Sequence, residues 1–271
     1  MRNHLMLPLM LASLITAVGC TTPDPVEPPD SATPSPNEVA APDADPGEPI
    51  TILCGGSFRP PLEALVEAYQ SETGAAVEIS FGGSEELLPQ IEIGKEGDLF
   101  VTHDPYLDYT EEADALLDSV HVGFVAPVLV VGKGNPAGIE SLDDLAKPGV
   151  RVALPNPEYS TCGEMLDALL EKKGIKDAVV ANAEGAIFRS HSETGNALKL
   201  GTREAGVMWN GTANTFKDDI DTIKTPYEYD ETIKVWIMGL SYTDQTEEVE
   251  AFLEFAREHA EALFAEHGYV K

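Results

Sequence analysis

Twice between Thr51 and Ile93 the chain passes from a β-prone run through two adjacent glycines and a serine into a helical pattern. In the first copy Thr51, Ile52 and Leu53 form the extended run, Gly55 and Gly56 allow a sharp turn, and Ser57 stands at it. Pro60 and Pro61 then fix φ in a first helical turn, where a missing N–H does no harm, and Leu62, Leu65, Val66 and Tyr69 recur at helical spacing. In the second copy Val77 to Ser84 repeats strand, glycine pair and serine, and Leu87, Leu88 and Ile91 continue as a helix that Pro89 bends rather than ends. Adjacent βα units of one parallel sheet aim their helix starts at the same crevice beyond the strand ends. A helix start carries about four unpaired N–H groups and roughly half a positive charge, so with a hydroxyl beside it the turn suits an anion. The plainer alternative is that each serine only caps its helix.

The chain opens with Arg2 in a short polar head, an apolar run from Leu5 to Val18, and small residues before Cys20. The run is too short for a membrane span, and the pattern predicts a lipoprotein signal over residues 1–20 with Cys20 as the lipidated residue; an ordinary secretory signal cut nearby is the alternative. Residues 21–49 hold nine of the twenty prolines and seven carboxylates without a basic residue, so they are expected to form a disordered, extended tether. The expected location is the periplasm or cell surface, with the membrane reached only through the lipid anchor.

Residues 50–271 suffice for two α/β lobes. They carry 16 Lys plus Arg against 40 Asp plus Glu, within a net charge of −30 at pH 7, which argues against nucleic acid and anionic lipid as partners. A small anion remains compatible. Exposed charges are screened beyond about 8 to 10 Å, whereas helix ends and hydroxyls act at contact distance.

Farther along, Val122 to Val131 reads as a doubly buried strand crossing into a second lobe. Ser160 and Thr161 stand at a third helix start, whose helix Gly174 ends, and Ser192 to Asn196 offers a fourth cap. Gly206 to Trp209 is a strand ending in an indole donor, and Val249 to His267 an amphipathic helix. His103 is expected in a turn as an ordinary loop histidine, since no second histidine stands at metal spacing. Cys54 and Cys162 are expected as separate thiols. A disulfide between them would tie the cleft shut.

The order SFGGS, GDLFVTHD, APVLVVGKGNP, LDDLAKPGVRVALPNPE, GVMWNGTA and FLEFAREHAEALFAEHGY resembles the periplasmic molybdate-binding proteins of ABC transporters over residues 50–271. That resemblance implies an α/β, two-lobed periplasmic-binding-protein fold of type II, each lobe a mainly parallel sheet flanked by helices. Lobe 1 would be residues 50–123 plus 230–271, and lobe 2 residues 124–229. It also implies that molybdate, or tungstate, is held by neutral donors and passed to the transmembrane subunits of an ABC permease. No cofactor and no metal site beyond the oxyanion itself are implied, and a monomer is expected. The implied ligand contacts are Ser57 and Ser84 in the first lobe, through hydroxyl and backbone N–H, and in the second a backbone donor at Thr161 or Cys162 and another at Thr194. Trp209 stands where the family commonly has tyrosine, and Glu85 follows Ser84 where the family carries a small or polar residue. An ionised Glu85 facing the site would repel a fully deprotonated dianion; at the first helical position pointing to solvent it would only favour the helix dipole. The alternatives are sulfate or phosphate as the anion, a cation such as ferric iron held by Tyr106, Tyr109, Tyr159 and His103, and a hydrolase using Ser57 or Cys162. For the last, no G-x-S-x-G surrounds Ser57 or Ser84.

Overall fold

The computed structural model describes residues 48–224 and 232–270, so the expected signal, Cys20 and nearly all of the expected tether lie outside the described residues. β1 (Ile50–Gly55) is apolar and buried at nearly every position because both its faces are covered. A 3-10 turn over Gly56–Phe58 leads into α1 (Arg59–Thr73), which buries Leu62, Leu65, Val66 and Tyr69 and ends at the left-handed Gly74. β2 (Val77–Gly82) lies parallel to β1. In α2 (Ser84–Pro89) the proline passes the chain into a π-helical turn over Gln90–Gly94, so the helical path continues as the sequence pattern indicated.

β3 (Leu99–His103), α3 (Tyr106–Glu112) and β4 (Leu116–Val125) follow. The apolar run that read as one strand is two. β4 ends at Val125, and β5 (Pro127–Gly132) begins in another sheet, because Pro127 has no N–H to continue a ladder and Ala126 turns the chain between them. Next come β6 (Val152–Pro155), α4 (Thr161–Lys173), α5 (Lys176–Asn182), β7 (Ile187–Phe188), α6 (His191–Lys199), β8 (Ala205–Trp209), α7 (Asn210–Thr215) and β9 (Ile220–Ile223). β10 (Ile233–Leu240) and α8 (Thr246–Glu266) complete the chain.

One sheet has the order β2-β1-β3-β10-β4 and the other β7-β6-β8-β5-β9. Both are mixed: β10 runs antiparallel to β3 and β4, and β5 antiparallel to β8 and β9. Helices flank each sheet, and α8 lies against β4, β10 and α1, with Tyr69 edge-on to Phe252 at 5.0 Å. The molecule is therefore a two-lobed α/β fold. Asn210 sits where the sheets meet: its amide donates to the Ala126 carbonyl at 3.1 Å, its side-chain oxygen accepts from the Ala126 amide at 3.3 Å, and its Nδ2 donates to Phe124 and Val270 carbonyls, each at 3.2 Å. The C-terminal tail is fastened there as well, the Phe124 amide donating to the Tyr269 carbonyl at 3.0 Å and the Tyr269 hydroxyl donating to the Ser57 carbonyl.

Candidate functional site

A cleft of about 500 Å³ is lined from both sheets: by the turns after β1 and β2 on one side, and by the turns before α4 and α6 with the end of β8 on the other. Four hydroxyl-bearing turns meet here, at Ser57, at Ser84, at Ser160 with Thr161, and at Ser190 with Ser192. Ser57 makes no side-chain cap bond, so it does not merely cap α1. Ser84 is buried, its Oγ 2.6 Å from Thr102 Oγ1. Glycine at position 55 eases this approach, since a Cβ there would come within 3.2 Å of Ser84 Oγ and 3.1 Å of the Phe58 ring and oblige them to give by a few tenths of an ångström. Ser160 caps α4 by accepting from the Gly163 amide at 3.4 Å, and Ser190 caps α6 by accepting from the Ser192 amide at 3.2 Å.

Of the six contacts expected from the resemblance, Ser57, Ser84, Thr161 and Trp209 line the cleft. Cys162 and Thr194 do not. Cys162 is fully buried one residue deeper in α4, where desolvation pushes its thiol up, the opposite of what a nucleophile needs. Thr194 is fully buried because α6 starts earlier than its sequence suggested: the cap is Ser190, which leaves Thr194 on the inner face of the second turn with its hydroxyl unpartnered. Cys54 is likewise buried, and both thiols are free.

The floor is aromatic and imidazole. Trp209, 2% exposed, lies with its ring 5.5 Å from that of His103 and 5.8 Å from that of His191. His103 ends β3 and is buried, rather than occupying an open turn; burial pushes it below the usual imidazole range against the opposing pull of Asp104. Burial, and then His103, bring His191 down to about 4. Both rings are therefore neutral at neutral pH. His191 Nε2 stands 3.4 Å from Ser160 Oγ, and His191 Nδ1 and Thr212 Oγ1 are buried without a partner. At the rim Arg59 stacks on Phe81 at 3.5 Å, and Arg189 stacks on Tyr159 at 3.8 Å while bonding Glu86 at 2.7 Å. Glu85 is the second residue of α2 rather than the first, and it faces the cleft. Its carboxylate helps burial to hold the proton on the Tyr106 phenol, while Thr161 from the other lobe pulls that phenol the opposite way.

His191 and the two arginines were missed in the sequence. The only signal was the capping box of Ser190 and Glu193 three residues on, which would have moved the start of α6 and brought His191 to its first turn. Among the described residues no group of three or more His, Cys, Asp or Glu could hold a metal ion, and no helix is long and apolar enough to cross a membrane.

Residues 50–270 match the bacterial extracellular solute-binding proteins, and the chain belongs to that family. Members bind solutes and are not enzymes, in keeping with a cleft that gathers donors around an interior. The chain spans 57% and 67% of the lengths of two curated relatives it matches. The longer match is to the molybdate-binding protein ModA of Mycobacterium tuberculosis, 25% identical over 65% of this chain. Among solved structures, the periplasmic molybdate-binding protein of Azotobacter vinelandii superposes with a TM-score of 0.68 at 21% identity, covering 82% of this chain and 99% of that one. The sulfate-binding protein SubI from Mycobacterium tuberculosis gives 0.66 at 21%, covering 81% and 85%. Similarity to both shows the fold and leaves the ligand to the site.

Proposed function

We propose that the protein captures a tetrahedral oxyanion, molybdate or tungstate, between lobe 1 (50–123 plus 230–271) and lobe 2 (124–229) and delivers it to an ABC importer. Cys20 would carry the lipid that anchors it, residues 21–49 would hold the domain off the membrane, and the working form would be a monomer. The observation that carries this reading is the meeting of hydroxyl-bearing helix starts from both sheets at one cleft whose deep groups are uncharged. Ser57 and Ser84 donate from one side and Thr161 and Ser160 from the other, with Trp209 beneath and the backbone N–H groups at the starts of α1, α4 and α6 behind them. Such donors suit an ion that offers only acceptors, and a donor left unmet by an ill-fitting ion costs roughly 1 to 3 kcal/mol. Size therefore sorts the anions more than charge does. Contacts from both lobes stabilise the closed arrangement only when the ion bridges them.

Calorimetric titration with molybdate, tungstate, sulfate, phosphate and ferric iron tests this. Tight binding of molybdate or tungstate with weak or absent sulfate binding is the expected result. Sulfate or phosphate as the tightest ligand would reassign the anion, and quenching of Trp209 fluorescence by ferric iron alone would replace the oxyanion reading.

A further inference from the structure

His103 presents a lone pair, and not a proton, to the cleft. Its Nδ1 lies 2.7 Å from the Asp104 carbonyl oxygen, and a carbonyl only accepts, so Nδ1 carries the hydrogen. In a neutral ring Nε2 is then unprotonated, and among the described residues nothing donates to it. A ring flip is opposed by the Nδ1 bond it would break and by the rings of Phe58, Tyr106 and Trp209 at 6.0, 5.5 and 5.5 Å. Oxyanion oxygens are also lone pairs, and two acceptors repel one another at contact.

We infer that the filled site holds one proton between His103 Nε2 and a ligand oxygen, so that a fully deprotonated oxyanion enters together with a proton. This rests on the oxyanion reading above. The proton comes from solvent, adds to Nε2 to give an imidazolium hydrogen-bonded to the anion, and returns to solvent on release; no other bond changes. A ligand that brings its own proton, such as monohydrogen phosphate, would donate it to Nε2 with no net uptake.

The charged and titratable groups around the ring come from every side. Its own turn supplies the Asp104 carboxylate, already accepting from Trp236 Nε1 at 2.6 Å and from the Lys234 amide at 3.2 Å. α3 supplies the Tyr106 phenol, α2 Glu85 and Glu86, α1 Arg59, and the segment entering α6 Arg189 and His191. In the empty site burial keeps His103 neutral, below its ordinary 6.5. A dianion at contact favours the charged ring and raises its affinity for a proton. Anion affinity therefore rises by up to about tenfold per unit as pH falls through the pKa of the filled site, and levels off below that of the empty one.

Titrating the full chain with molybdate and with sulfate, in buffers that differ in ionisation enthalpy, reads the proton directly. The expected result is an apparent enthalpy that changes with buffer and reports uptake of a proton. In His103→Gln, whose amide can donate but does not titrate, the buffer dependence should vanish, and in His191→Gln it should persist. Binding with the same enthalpy in every buffer would overturn the inference while leaving the oxyanion reading intact, and so would uptake lost in His191→Gln but kept in His103→Gln. No heat with molybdate, tungstate or sulfate would overturn both. Should His103→Gln fail to fold, the nitrogen-15 shift of His103 Nε2 in the unaltered protein decides: movement from the bare to the protonated range on adding molybdate is expected, and an unmoved bare signal overturns the proposal.

Discussion

Ser84 illustrates how one hydroxyl can be both structural and available. It is buried and paired with Thr102 Oγ1, an arrangement in which either oxygen can be the donor, so Ser84 can turn its hydrogen to a ligand while Thr102 donates to it. Ser84→Ala is expected to weaken anion binding by roughly 1.5 to 3 kcal/mol, the range for a hydrogen bond to a charged group, as read by calorimetry. Unaltered affinity would remove Ser84 from the site. Gly211 makes a separate case about packing: a Cβ there would lie 2.1 Å from the Tyr269 ring, which Phe58 and Phe264 hold from other sides. Gly211→Ala should therefore cost about 1 to 3 kcal/mol in thermal or denaturant unfolding. Gly132→Ala, where nothing lies within 4 Å, should stay within about 0.5 kcal/mol and serves as the control. Ser57, Ser84 and Thr161 were legible in the sequence because glycine pairs and caps leave local signatures. His103 and His191 were not, because one ends a strand and the other opens a helix far along the chain, and only the folding of both lobes brings them to the same indole.

Among the elements, α2 and the segment entering α6 face each other across the cleft, joined by Glu86 and Arg189 at 2.7 Å. Both side chains are more than half exposed, so the pair contributes little to folding, on the order of 0 to 1 kcal/mol. It does, however, join opposite lobes. Arg189→Ala should lower apparent anion affinity no more than a few-fold at low salt, with the difference closing as salt rises, measured by titration at two ionic strengths. A loss that persists in high salt would mean that Arg189 touches the ligand itself. The start of α4 at Ser160 and Thr161 was legible, since a strand, a polar turn and a terminal glycine bracket the helix. The start of α6 was misplaced because three hydroxyl residues in five competed for the cap.

For the whole molecule, the two sheets were legible as α/β units, but the run that crosses between them read as one strand and not two. Val122 to Val131 is apolar throughout, and only the position of Pro127 hints that the run serves two sheets. Acid should act on this fold through its buried imidazoles. His191 titrates near 4 when folded and, free of the fold, near 6.5, so below 6.5 the unfolded chain binds a proton that the native one refuses. Stability therefore falls as pH drops from about 6.5 towards 4, and His191→Gln should lack that portion of the loss when unfolding midpoints are compared across pH. Equal slopes for both proteins would show that the ring is not held neutral.

The placement of β10 reaches beyond binding. It lies in the first sheet between β3 and β4, yet it comes almost at the end of the chain, with the tail that grips Ser57 and Phe124 later still. A ribosome that has delivered only the earlier strands has made a sheet with its middle missing, so the first half cannot lock before the last is synthesised. The second sheet has no such debt, since all five of its strands are in hand by Ile223, so the two halves of the fold become closable at different points along the chain.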